Sequence, residues 1–261
     1  MGLSHLRATL PHVRPGPNFF GLLVGVAVFG WLVSSADPFR DSPWIFVFVV
    51  WGWILSLVLH EFAHAFVAFA AGDHSVQEKG YLTLDVTRYV HPVMSIGLPV
   101  LILVAGGIAL PGGAVWVQPA AMRSRAWRSA VSLAGPAMNL LFGALMLLPV
   151  TFGWVDERNL GLMLALLLVA WFQIVAVALN MLPIPGLDGF GAIEPWLSPA
   201  AMQRANQFRP YSLLLLIGIL IGVPQAADWI FGLADGFIDV RGTPGEVWRT
   251  IGLEQFRFWN S

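Results

Sequence analysis

Residues 42 to 72 read SPWIFVFVVWGWILSLVLHEFAHAFVAFAAG. Roughly thirty mostly apolar residues in one run are enough for a single α-helix to cross the ~30 Å hydrocarbon core of a bilayer, so this stretch decides the fold. The same run contains His60-Glu61-Phe62-Ala63-His64, an HExxH pattern. On a helix, residues four apart lie about 40° apart around the axis and roughly 6 Å apart along it, so both imidazoles can reach one metal ion. Glu61 falls on the flank of that pair, where it can hydrogen-bond a water without ligating the metal. Three ionisable side chains within about one turn of a membrane helix are costly, and their default reading is functional.

Composition agrees with a membrane location. The chain has 261 residues, 57% hydrophobic and 11% charged, more apolar and far less charged than an ordinary soluble domain. The absence of Cys excludes disulfides, Cys-rich zinc sites and a thiol nucleophile, and leaves His, Asp and Glu as metal ligands. A net charge of −1 with no basic stripe argues against a nucleic-acid partner. Arg7 and Arg14 before an apolar stretch resemble a secretory signal; since more spans follow, a retained helix is the expected outcome.

Hydropathy places spans near Phe19–Val33, Trp44–Ala71, Ser129–Phe152, Leu160–Met181 and Tyr211–Val223, the last extendable through Val240. Met94–Leu110 is apolar too, but Pro99, Gly106-Gly107 and Pro111-Gly112-Gly113 favour a re-entrant hairpin. The cations agree. If this segment dips in and returns, Lys79, Arg88, Arg123, Arg125, Arg128, Arg204 and Arg209 share the inner side with Arg7 and Arg14, as the positive-inside tendency requires. Tyr81–Val86 and Ala114–Val117 lean toward β structure; they read either as a small sheet beside the site, able to hold an extended peptide by strand addition, or as interfacial loops. The expected fold is an all-α polytopic membrane protein with about five to six transmembrane helices, a re-entrant segment and a small membrane-associated β element. It divides into an N-terminal segment with the first span (1–43), a catalytic core (44–195) and a C-terminal transmembrane or interfacial segment with a tail (196–261).

A catalytic zinc site usually needs a third protein ligand. Asp188 is the best remaining candidate, since Pro183 and Pro185 stop the preceding apolar helix and Gly186 and Gly189 permit a tight return. An ordinary turn after a helix would use the same residue types.

HExxH on one membrane helix, Gly135-Pro136 with Asn139 on a second, and the run Asn180-Met181-Leu182-Pro183 continuing to Asp188-Gly189 on a third together resemble the site-2 protease family of intramembrane zinc metalloproteases. Gly72-Asp73, Tyr81–Leu84 and Trp116–Pro119 resemble its compact prokaryotic members without a PDZ domain. The resemblance covers about Trp44 to Gly191, leaving both ends without an assigned motif. It implies one Zn2+ held by His60, His64 and Asp188, Glu61 as general acid/base, and Asn180, with Asn139 beside it, holding substrate or the developing oxyanion. It implies hydrolysis of a peptide bond within or near a transmembrane segment of a membrane-protein substrate, in a bilayer such as a prokaryotic plasma membrane, with the site toward the cytoplasmic side. Departures fall at Tyr81, where the family often has a basic residue, and at Asp85-Val86, where it often has Asn-Pro; they bear on substrate contacts and leave the metal ligands intact.

A catalytically silent scaffold or transporter-like protein on the same fold is the competing class. His5, His12, His74 and His91 read as interfacial or loop histidines. Asp228, Asp235 and Asp239 suggest an interfacial amphipathic helix, and Glu194 beside Pro195 a loop residue.

Overall fold

The computed structural model describes residues 3–35, 43–89 and 115–257. Its frame is four long apolar helices preceded by a short one. They are α1 (Leu3–Thr9), α2 (Pro17–Ser35), α3 (Pro43–Ala71), α4 (Arg125–Thr151) and α5 (Leu160–Asn180). Helices α2 to α5 correspond to the four expected spans up to Met181, and each is long and apolar enough to cross a membrane. The C-terminal part adds α6 (Asp188–Ile193), α7 (Pro199–Phe208), α8 (Ser212–Gly222), α9 (Pro224–Phe237) and α10 (Gly245–Phe256).

Helix α5 is the axis of the bundle. It is apolar all round, as a helix buried on every side must be, and from Met163 to Val175 every residue is buried. Helices α3 and α4 pack on each other and on α5, while α9 and α10 cover α5 from the C-terminal part. Helix α3 is buried on one side along its full length, including His60, Glu61 and His64, and α2 packs on it with Trp51 Nε1 donating to Leu22 O at 2.9 Å. Helix α4 starts at Ser124, whose side chain accepts from Trp127 N, a serine N-cap that satisfies an orphan helix donor.

Two expectations are refined. The expected span Tyr211–Val223 contains α8, which has 11 residues, about 16 Å of helix, too short alone for the hydrocarbon core. The helical run Pro199–Gly222, which includes α7 and α8, bends by 87° into Gln225–Phe237, so the segment counts as a fifth span only as a broken pair. Pro224 opens α9 and supplies no backbone N–H to continue α8. No strand occurs among the described residues, where the single β-bridge joins Val240 and Thr243. Tyr81–Thr83 is a 3-10 turn and Val86–Tyr89 a short helix, with Gly80 and Leu84 in the left-handed region at φ 77° and 52°, a conformation that breaks a strand. The carbonyls of Leu82 and Thr83 accept instead from Arg14 N (3.1 Å) and Gly16 N (2.8 Å), so the chain entering α2 takes the hydrogen bonds a partner strand would have taken. Asp85 extends that junction: its Oδ1 accepts from Asn18 Nδ2 at 2.9 Å and from Thr87 N at 3.0 Å. The second β-leaning piece is non-helical from Val115 onward; Ala114 and the whole of Met94–Leu110 lie outside the described residues.

Candidate metal centre

His60 and His64 of α3 and Asp188 of α6, more than a hundred residues apart in sequence, meet at one point. His60 Nε2 and His64 Nε2 are 3.0 Å apart. Asp188 Oδ2 is 3.2 Å from His60 Nε2, and Asp188 Oδ1 is 3.4 Å from His64 Nε2. Ligands about 2.0–2.1 Å from a tetrahedral ion lie about 3.3 Å from one another, so the spacing fits one first-row cation. Donor orientation fits as well. His64 Nδ1 is 2.6 Å from Val131 O and His60 Nδ1 is 3.3 Å from Asn139 Oδ1. A carbonyl acceptor holds the proton on Nδ1 and leaves the Nε2 lone pair free to ligate. Asp188 Oδ2 is buried with no hydrogen-bond partner, an orphaned acceptor that costs free energy unless a cation or donor meets it. Among the described residues, His60, His64 and Asp188 form the one group of His, Asp or Glu side chains close enough to share an ion.

Local structure explains how Asp188 arrives there. After Asn180 the chain turns through Pro183, Pro185 and a left-handed Gly186 at φ 101°, and Asp188 opens the short α6. Gly189 is obligatory at that turn, since a Cβ there would collide with the backbone of Met181 and Leu182. Gly135 does the same on α4: a Cβ would come within 2.5 Å of His60 Nε2 and nearer still to His64 Nε2. That glycine therefore lets α4 pass directly over the imidazoles.

A cavity of about 280 Å3 opens onto this point, lined by both histidines, Glu61, Asn180, Asp188 and the extended wall of Val115 and Val117. Glu61, Asn139 and Asn180 are buried in it or beside it. Glu61 and Val115 line the same cavity. Asn139 places its Oδ1 on His60, so one end of its amide orients a ligand while the residue also borders a smaller recess. The extended wall is held from behind by Asp73, a fully buried residue that the sequence marks only as part of Gly72-Asp73, with no role. Its Oδ2 accepts from Gln118 N at 2.6 Å and its Oδ1 from Ser75 N and Oγ at 3.1 and 2.7 Å. Lys79 Nζ donates to Trp116 O at 2.8 Å. The signal for Asp73 was its place directly after the helix-ending Gly72.

Titration shifts frame the loop beside the site. The Asp85 carboxyl sits below its ordinary range: desolvation, the largest single effect, would raise it, but the hydrogen bonds from Asn18 and Thr87 together with Arg88 outweigh it. Burial pushes the Tyr89 phenol up, and its OH donates to Tyr81 O at 2.5 Å. Other residues set aside earlier have structural partners. Asp235 accepts from Trp171 Nε1 and Arg249 Nε, each at 2.8 Å, pinning α9 and α10 to α5, and Glu194 pairs with Arg209. His12 and His74 pack on Phe69, and His5 on Trp127; His91 lies outside the described residues.

Two imidazoles on an HExxH helix, a carboxylate from a third helix and an adjacent glutamate, set in a bundle of apolar helices, define a metalloprotease carried by a membrane protein. The relatives narrow the class. The chain is 40% identical over 261 residues to a protein of Mycolicibacterium smegmatis named as a candidate zinc metalloprotease, Rip2, covering 98% of this chain and 99% of that one. It is 41% identical over 251 residues to the Rip2 of Mycobacterium tuberculosis, covering 95% of each. To YwhC of Bacillus subtilis, likewise named as a candidate zinc metalloprotease, it is 29% identical over 180 residues, 64% of this chain and 77% of the relative. The chain belongs to the site-2 protease family. No family model and no solved structure matches it.

Proposed function

We propose that this chain hydrolyses a peptide bond within or near a transmembrane segment of another membrane protein, using one Zn2+ held by His60, His64 and Asp188. The observation that carries the reading is the convergence of those three ligand atoms, 3.0 to 3.4 Å apart, beside Glu61. A bound zinc ion supplies Lewis acidity, which makes water a competent nucleophile near neutral pH and polarises the scissile carbonyl. The chain's own residues do the rest. Glu61 takes the proton of the attacking water and returns it to the leaving amine. Asn180, facing the same cavity, donates its side-chain amide to the oxyanion, where loss of one such donor typically costs about a hundredfold or more in rate. The apolar wall of Val115, Val117 and Val131 restricts water around the reacting groups. A helical substrate must unwind locally before its carbonyl can reach a buried site, so the substrate class is a transmembrane or membrane-proximal segment entering from the bilayer. By the cation distribution, the site opens toward the cytoplasmic face of a prokaryotic plasma membrane.

The test compares membrane proteomes of cells carrying the wild-type chain and Glu61→Gln. The variant is expected to keep its zinc and to accumulate an uncut membrane protein. Identical proteomes from the two strains would favour the silent-scaffold class instead.

A further inference from the structure

A second recess borders the metal centre and does not include Asp188 in its lining. It has a volume of about 30 Å3, shares His60, Glu61 and Asn180 with the larger cavity, and ends at Ser56 and Gln173. Ser56 precedes His60 by one turn of α3 and Gln173 precedes Asn180 by two turns of α5, so the floor lies about 6–10 Å farther along the helices. Both side chains are buried in the most apolar part of the bundle. A buried amide and hydroxyl are costly there without partners. They partly satisfy each other, since Ser56 Oγ donates to Gln173 Oε1. Gln173 and Ser56 both line the recess, so the polar ends of the two side chains border its space. Helix α4 accommodates the pair with Gly143, where a Cβ would stand 3.0 Å from Gln173 Cβ. The bundle thus keeps a small polar recess where filling it with apolar side chains would cost less.

We propose that this recess is the subsite for one substrate side chain flanking the scissile bond, and that it restricts that residue to Gly, Ala, Ser or Cys. The proposal rests on the protease reading above. A peptide carbonyl placed at the metal centre lies against His60, Glu61 and Asn180, the three residues that also form the mouth of the recess, so a neighbouring side chain on that side points into it. About 10–15 Å3 of such space holds one water-sized atom, so the recess takes about two heavy atoms: a methyl, hydroxymethyl or thiomethyl group. Val, Leu or Phe, the usual residues of a membrane helix, would have to push α3 from α5 and would set apolar surface against the polar floor of Ser56 and Gln173, the kind of mismatch by which polar sites reject apolar side chains.

The experiment uses the full chain in liposomes with tagged transmembrane-segment reporters. Cuts are mapped by mass spectrometry, and each residue flanking the cut is varied through Gly, Ala, Ser, Val, Leu and Phe. At one flanking position Val, Leu or Phe is expected to lower kcat/KM at least ten-fold relative to Ala, while the other position is tolerant. Combining Ser56→Ala with Gln173→Ala should raise the Leu-to-Ala ratio at that position at least ten-fold, and Ser56→Val should shift the preference the other way, toward Gly. Opposite shifts from an enlarged and a narrowed recess do not arise from a general loss of fold, and zinc content and Tm are measured on each variant. A Glu61-dependent cut whose side-chain profile is the same in all three forms overturns the subsite and leaves the protease reading standing. If no reporter is cut in a Glu61-dependent manner, both fall together.

Discussion

Gly135→Ala is the smallest change that reaches the metal centre from a residue that ligates nothing. The added methyl would come within 2.5 Å of His60 Cε1 and Nε2 and nearer still to His64 Nε2, where ordinary contact distances are 3.4–4 Å. The shortfall is about 1 Å. The contact is with the ligating edges of two rings whose far nitrogens are already fixed on Asn139 and Val131, so the rings cannot swing aside without losing those bonds. Helix α4 must retreat, at about 1–3 kcal/mol for overpacking, or the imidazoles must leave the ion. Disturbing groups that orient ligands typically costs 10–100-fold in metal affinity, and about 1 Å of displacement against a bond of about 2.0–2.1 Å belongs at the upper end of that range. The assay is zinc per chain by elemental analysis across a series of buffered free-zinc concentrations, with Tm recorded in parallel. Gly232→Ala on α9, where a Cβ meets nothing within 4 Å, serves as the control. Wild-type zinc affinity in Gly135→Ala would refute the reasoning, because the α4 glycine could not then be what admits the imidazoles.

Chelation should lower the Tm of the wild-type chain, since an ion bound only by the folded state stabilises it; in Asp188→Ala that chelator-induced shift should largely vanish, and an undiminished shift would remove Asp188 from the ligand set. Asp73→Ala removes the acceptor of three part-buried donors, Ser75 N, Ser75 Oγ and Gln118 N, each bond worth about 0.5–1.5 kcal/mol net, and should lower Tm and loosen the wall facing Glu61, seen as a raised KM. Asp85 carries a depressed folded-state pKa, so its contribution to stability is present above the unfolded carboxyl range near pH 4 and is lost as pH falls through the lower folded value. Asp85→Asn is therefore expected to flatten the Tm-versus-pH curve on the acid side of about pH 4, and an unchanged slope there would contradict it.

Much of the site was legible because its signals are local in sequence. The four-residue spacing of His60 and His64 puts both imidazoles on one helical face whatever the tertiary fold, and the Pro and Gly residues around Asp188 mark a chain reversal. The residue that lets α4 approach, Gly135, stood inside a recognised segment, but its steric purpose depends on a helix about seventy residues away and is invisible until α3 and α4 are packed. Ser56 and Gln173 could have been noticed as polar residues in apolar helices; what they do depends on their meeting across α3 and α5. The β-leaning reading of Tyr81–Val86 failed for a physical reason: Gly80 and Leu84 adopt left-handed conformations, and the chain entering α2 takes the carbonyls of Leu82 and Thr83. The extension of the fifth span through Val240 is broken at Val223–Pro224, where hydropathy continues but the helical hydrogen bonding does not.

The central claim is that a glutamate beside a two-histidine, one-aspartate metal centre cuts a transmembrane segment. Its most direct measurement is cleavage of a tagged transmembrane reporter in liposomes by the zinc-loaded wild-type chain and by Glu61→Gln at equal zinc content. The account predicts a cut inside or at the edge of the membrane segment for the wild type, and at least a hundredfold loss of rate in the variant. Equal cleavage by both, or a cut confined to soluble regions far from the bilayer, would contradict it.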